Sequence, residues 1–225
     1  METIESRLRE ILDKIRSASS GRQDVKLIAV SKTKPVSSIL EAFKAGQLHF
    51  GENRIQEARD KSPQTPQSIH WHLIGPLQKN KAKYCPQIFS TLHTLHRTDI
   101  ADNLNQKLVE ADKTIDVLIQ MNLSGESSKS GVEGLDELKR LQDHILTLPN
   151  LRLTGLMTMG DPNADAKVNQ KIFSDLREIL SKEAFRLELK NQYKELSMGM
   201  SGDFELAIKE GATFVRIGSS IFGTR

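Results

Sequence analysis

Val25-Lys26-Leu27-Ile28-Ala29-Val30-Ser31-Lys32 reads as a strand buried on both faces. Alternation sets Ile28, Val30 and Lys32 on one side and Leu27, Ala29 and Ser31 on the other, both largely apolar, as in a parallel sheet covered by helices. Pro35 supplies a turn signal just beyond. Lys32 therefore stands at the carboxyl end of the strand, the edge on which α/β barrels and open α/β sheets bind ligands. Desolvation at such an edge disfavours the ammonium form of an amine and opens imine chemistry with an aldehyde. A solvated surface lysine fits the same position, and the strand alone favours that reading; the other strand ends reverse the balance.

Runs of similar character recur in QLHF, SIHWHLIG, IFSTLHT, IDVLIQMN, LRLTGLMTM, KELSM and TFVRIGS. With the first run they make eight strands. The segments between them carry helical periodicity, over 38–45, 52–61, 99–111, 133–146, 165–181 and 203–210. Strands alternating with helices imply a parallel sheet, and a count of eight favours closure into an α/β fold of the (β/α)₈ TIM-barrel type over an open sheet. The expectation is one domain spanning residues 1–225.

Composition narrows the function classes. A net charge of +3 spread without a basic run, and aromatics without a stacking series, argue against nucleic acid as a partner. No apolar stretch approaches the length of a membrane span, and METIESRLREILDKI reads as an amphipathic helix rather than a signal peptide. Cys85 is the single cysteine, so no internal disulfide forms, and a cytoplasmic location is expected. In KYCPQIF it reads as packed rather than reactive.

Chemistry-bearing residues gather at strand ends. The last strand and its turn, Phe214 to Gly223, set Arg216 inside an apolar run, followed by Gly218 and Ser219. A glycine-serine turn exposing successive N–H groups suits an anion, where barrels commonly bind phosphate. Arg216 on an inward face needs a buried acid or a ligand as partner. Ser201, in Ser197-Met198-Gly199-Met200-Ser201-Gly202-Asp203, is placed as the N-cap of the next helix, which alone would account for it. Asn53, after Phe50-Gly51-Glu52, fits either a ligand contact or a local cap. His70 and His72 share a strand face, yet third and fourth metal ligands are lacking, and His93 and His96 add none, so no metal is expected. The polar segment SGESSKSG would lie over the ligand face of a barrel or form a loop without chemistry. A lysine at one strand end and an arginine with an anion turn at another suit a ligand carrying both an aldehyde and a phosphate.

The strings AVSKTKP, FGENRIQEA, WHLIGPLQKNK, IQMN, SGESSKSGV, LTGLMTM, SMGMSGDFELAI and VRIGSSIFGTR, in this order, resemble the YggS/PROSC family of pyridoxal 5′-phosphate (PLP) homeostasis proteins over nearly the whole chain. The resemblance implies a barrel like the N-terminal domain of alanine racemase, PLP fold type III, with the cofactor held as an aldimine on Lys32. It also implies that Ser201, Gly218 and Ser219 hold the phosphate, that Arg216 faces the pyridine nitrogen, and that Asn53 lies beside the ring. A cation at the ring nitrogen disfavours its protonation and weakens the electron sink that carbanion chemistry needs. Alanine racemase-like enzymes carry a second domain with an acid-base tyrosine, for which this chain, ending at Arg225, is expected to leave no room. Tyr84 and Tyr193 lie on no strand-end motif.

The role implied is a non-catalytic monomer that binds PLP reversibly, limits free aldehyde, delivers the cofactor to apo-enzymes or meets a regulatory protein, and so affects amino-acid and keto-acid balance. Two alternatives remain open on the residues: a weak PLP-dependent amino-acid racemase, and a cofactor-free Schiff-base aldolase on the same fold. Lys34, two residues from Lys32, is a second candidate amine.

Overall fold

In the computed structural model, which describes residues 3–124 and 130–223, the eight apolar runs form eight parallel strands. They are β1 Lys26–Val30, β2 His49–Glu52, β3 His70–Leu73, β4 Phe89–Leu95, β5 Ile115–Gln120, β6 Leu151–Met157, β7 Glu195–Ser197 and β8 Phe214–Ile217. Each pairs with its successor, and β8 returns to pair with β1, closing a barrel. The helices are α1 Ile4–Ala18, α2 Val36–Lys44, α3 Ile55–Lys61, α4 Cys85–Ile88, α5 Thr98–Glu110, α6 Leu135–Ile145, α7 Ala166–Arg186, α8 Phe204–Lys209 and α9 Ser219–Phe222.

Two-sided burial of the strands builds two apolar layers. Leu27 and Ala29 join the larger cluster between strands and helices, whereas Ile28 packs inside the barrel with Leu118, Met157 and Phe214. The alternation read along β1 thus sorts inner from outer residues. The amphipathic first segment is α1, whose Ile4, Leu8, Ile11 and Ile15 are buried against the barrel's outer layer. Arg7 ties it there, its Nε donating to the Ile221 carbonyl at 2.7 Å. Cys85 is buried, which pushes its thiol up to about 12 and leaves it inert. Among the described residues no helix is long and apolar enough to cross a membrane.

Boundaries shift where tertiary pairing outweighs local pattern. Glu52 opens no helix; it ends β2, paired with Leu73, and α3 starts at Ile55. The seventh helix runs to Arg186, five residues past its expected end at Ser181. Lys32 lies beyond β1, in a turn where Thr33 takes a left-handed φ of 63°. Ser201 is not an N-cap: Asp203 precedes α8, and its Oδ1 accepts the Met200 N–H at 2.6 Å. Of SGESSKSG, residues 125–129 lie outside the described residues.

Candidate functional site

Lys32 is presented by a turn fixed on both sides. Before it, the Ser31 hydroxyl donates to Glu52 Oε1 at 2.8 Å, and Lys61 Nζ donates to the Ser31 carbonyl at 2.9 Å. After it, the Thr33 N–H donates to Glu57 Oε2 at 2.7 Å. Lys61 joins the two anchors, reaching Glu52 at 2.7 Å and Glu57 at 3.1 Å. A left-handed non-glycine residue costs about 1 kcal/mol or more, and the charge-assisted bond to Glu57 offsets that cost. Lys32 itself is half-buried and, among the described residues, makes no hydrogen bond or ion pair.

These anchors have distinct electrostatics. Burial raises the Glu52 carboxyl above its ordinary range even against Lys61 and Ser31. Burial would raise Glu57 as well, but the Thr33 N–H and Lys61 outweigh it and hold it below. Replacing Lys61 with Met leaves Glu52 buried without its cation, a loss of about 3 kcal/mol of stability at pH 8. The loss should shrink at pH 5, because burial raises Glu52 and a fall in pH moves it toward its neutral form. Urea unfolding of Lys61→Met at the two pH values checks this, and a pH-independent loss would contradict it.

Lys32 opens onto a cavity of about 450 Å³ at the carboxyl ends of the strands. Asn53, Ser201, Arg216, Gly218 and Ser219 line the same cavity, so all six residues singled out in the sequence meet in one place. Asn53 follows β2 and lies between two neighbouring cavities, not acting as the cap of α3, which Arg54 precedes. Its backbone is held where Gly75 passes: a Cβ on Gly75 would lie 2.2 Å from the Asn53 carbonyl oxygen, so only glycine fits. Ser201, in the turn after β7, and Ser219, the first residue of α9, bring their hydroxyls to 3.4 Å of each other. Gly218 precedes α9, and a Cβ there would press on Val30 at 3.2–3.3 Å.

Arg216 is the most constrained member. It is buried in β8, donating from Nη1 to Ser197 Oγ at 2.6 Å and from Nη2 to the Thr158 carbonyl at 3.0 Å. Burial lowers its pKa to about 10, partly opposed by Asp203, and it stays a cation at neutral pH. A guanidinium carries five N–H donors, and the remaining ones find no protein acceptor among the described residues.

Sequence reading missed the residues that orient this cation. Ser197 and Thr158 sit at the ends of β7 and β6, inside strings already noted, but only the register that brings β6, β7 and β8 together shows that they face Arg216. Sequence reading also gives no signal for Met157, Met159 and Met200, which with Val30 and Ile74 form the cavity's apolar wall. His72 and His93, separate in sequence, meet at 3.0 Å inside the barrel, and among the described residues no cluster could hold a metal. Tyr193 is buried against Gln142 at 2.8 Å, and Tyr84 lines a different cavity. Lys34 lines the same cavity, but its Nζ donates to the carbonyls of Phe222 and Gly223 at 3.2 and 3.0 Å.

The profile of the family described as alanine racemase, N-terminal domain, matches residues 5–225. The chain belongs to this family. A pyridoxal phosphate homeostasis protein of Vibrio cholerae is 43% identical over 234 residues, covering 100% of this chain and 98% of the relative. The resemblance drawn from the short strings thus holds over the full chain. Among solved structures, PipY of Synechococcus elongatus, without and with PLP bound, superposes with TM-scores of 0.91 and 0.89 at 32% identity, covering 98% of this chain and 100% of PipY. Alanine racemase of Clostridium difficile, at 14% identity and a TM-score of 0.76, shares the fold, and this chain covers 56% of its length.

Proposed function

We propose that this chain holds PLP in the cavity of Lys32 and Arg216 and serves in PLP homeostasis rather than in catalysis. The observation that carries the reading is Arg216: a buried cation with unspent N–H donors, lining the same cavity as an amine without a protein partner. An aromatic ring nitrogen accepts from such a donor without bringing a charge to be buried. Lys32 supplies the amine for the aldehyde. The Ser201 and Ser219 hydroxyls, with the amides that open after Gly218, supply donors for the phosphate. Asn53 contacts the ring side. The relatives add support: the Vibrio cholerae protein carries the homeostasis name, and PipY has been solved with PLP bound.

When bound, PLP would bring an aldehyde carbon open to amines and an electron-withdrawing ring. Arg216 restrains that ring, since a cation facing the pyridine nitrogen disfavours its protonation. Among the described residues the cavity lining includes no tyrosine, histidine or carboxylate that could serve as a second proton-transfer group. The cofactor is therefore held in a weakly activated form, suited to storage and release to apo-enzymes by a cytosolic monomer.

The test is a titration of the purified chain with PLP, followed by incubation of the complex with single amino-acid enantiomers. Saturable one-to-one binding without enantiomer interconversion above that of free PLP is expected. Interconversion that requires Lys32 would replace the carrier with a racemase, and failure to bind PLP would remove the cofactor altogether.

A further inference from the structure

A line of hydrogen-bonded polar side chains runs through the barrel interior, away from the cavity. Arg216 Nη1 lies 2.6 Å from Ser197 Oγ, Ser197 Oγ 2.8 Å from His93 Nδ1, His93 Nε2 3.0 Å from His72 Nδ1, and His72 Nε2 3.0 Å from His49 Nδ1. Arg216, Ser197, His93 and His72 are buried, and the line reaches partial exposure at His49, which stacks on exposed His70 with ring centroids 4.9 Å apart. Phe214 packs edge-on against both His72 and His93, holding the two rings.

Proton accounting fixes the direction of this line. Arginine only donates, and a serine hydroxyl has one proton. Ser197 Oγ already accepts from Arg216. Were His93 protonated on Nδ1, the Ser197 hydroxyl would accept twice and its own proton, fully buried, would have no acceptor among the described hydrogen bonds. Ser197 therefore donates to His93 Nδ1, and His93 carries its proton on Nε2. Each neutral imidazole donates at one nitrogen and accepts at the other, so the same polarity passes to His72 and then to His49, whose Nε2–H points beyond the line. Burial lowers His72 and His93 well below their ordinary range, and burial with His70 and Lys26 nearby lowers His49 to about 4, so all three are neutral at pH 7.

We propose that Ser197, His93, His72 and His49 are positioning residues for Arg216, forming a one-way hydrogen-bond relay in which every imidazole is the Nε2–H tautomer. The relay turns only acceptor lone pairs toward the guanidinium, which keeps the cation in place and directs its remaining donors to the cavity. Its purpose rests on the reading of that cavity as the PLP site, whereas its tautomers do not.

Histidine-¹⁵N-labelled full chain, observed by two-bond ¹H–¹⁵N correlation without PLP, tests the relay itself. His49, His72 and His93 should each show the neutral Nε2–H pattern, unchanged between pH 6 and 8. An Nδ1–H tautomer or an imidazolium at any of the three would overturn the proposal. Ser197→Ala should shift His93 and His72 together toward mixed tautomers and lower PLP retention about tenfold, and Ser197→Thr should restore both. A shift confined to His93 would also overturn it. Should Ser197→Ala fail to fold, the spectra of the unaltered chain still decide. Correct tautomers in a chain that does not bind PLP would leave the relay standing and remove the cofactor reading.

Discussion

Lys32→Ala is expected to abolish covalent capture of PLP and to weaken its retention on the order of a hundredfold, about 2.7 kcal/mol. The size of the effect follows from the lack of a substitute amine. Lys34 is held by two main-chain carbonyls at the end of α9, and Lys61 is enclosed by Glu52, Glu57 and the Ser31 carbonyl. Lys34 lines the cavity as well, so capture there would need it only to give up those bonds, whereas moving Lys61 into the cavity would also uncover the buried Glu52. What remains is recognition by Arg216 and the two serine hydroxyls, which retains PLP weakly without a covalent link. Equilibrium dialysis against PLP measures the retained affinity, and absorbance shows whether a covalent species persists. Unchanged capture in Lys32→Ala would transfer the role to Lys34 and refute the assignment.

Acid should destabilise the fold steeply below pH 6.5. Burial, then the neighbouring histidines, keep His72 far below its ordinary range; burial, then Arg216, do so for His93; His49 sits at about 4. The folded chain thus holds these groups neutral while the unfolded chain takes up protons near 6.5. A group lowered in this way contributes stability that is present above its unfolded pKa and lost as pH falls toward its folded one. Glu52 acts in the opposite sense. Its carboxyl is raised by burial, so the folded chain takes up that proton first and gains relative stability as pH falls through its folded value. Near pH 5, three imidazoles are protonated only in the unfolded chain, and the opposite uptake at Glu52 offsets at most one of them, leaving at least about two net protons. That is a slope of about 2.7 kcal/mol per pH unit or more. Since domains of this size are stable by only about 5–15 kcal/mol, most of the margin disappears within a few pH units. Urea midpoints from pH 7 to 5 test the slope. A flat profile would mean that the interior histidines are charged or solvated, contrary to their hydrogen bonds.

Much of this architecture is legible in the amino-acid order because two-sided burial leaves a simple signature. A parallel strand covered on both faces is a short apolar run, and eight such runs separated by helical periodicity admit few closed arrangements. The strand-end residues are legible for the same reason, since a charged or glycine-rich interruption at the carboxyl end of each run falls on one rim of the barrel. Details that depend on register are not. Thr33 takes a positive φ because Glu57, a helix away, holds its amide, and no local propensity announces that. Ser201 looks like a cap by spacing, yet Asp203 takes up the local amide and leaves Ser201 to meet Ser219 at the start of α9. His49, His72 and His93 stand on three successive strands, so their alignment depends on the stagger of β2, β3 and β4, including a register shift between Trp71 and His72. Read one strand at a time, His72 and His93 look like parts of a metal site that lacks its other ligands, and His49 carries no signal. Across strands they form a hydrogen-bonded line to Arg216.

The account stands on one covalent assignment, and borohydride reduction of the PLP-loaded chain followed by peptide mapping tests it most directly. A single reduced pyridoxyl group on Lys32 is the predicted result. A label on Lys34 or scattered over surface lysines, or no label on a chain that nevertheless binds PLP, would contradict it.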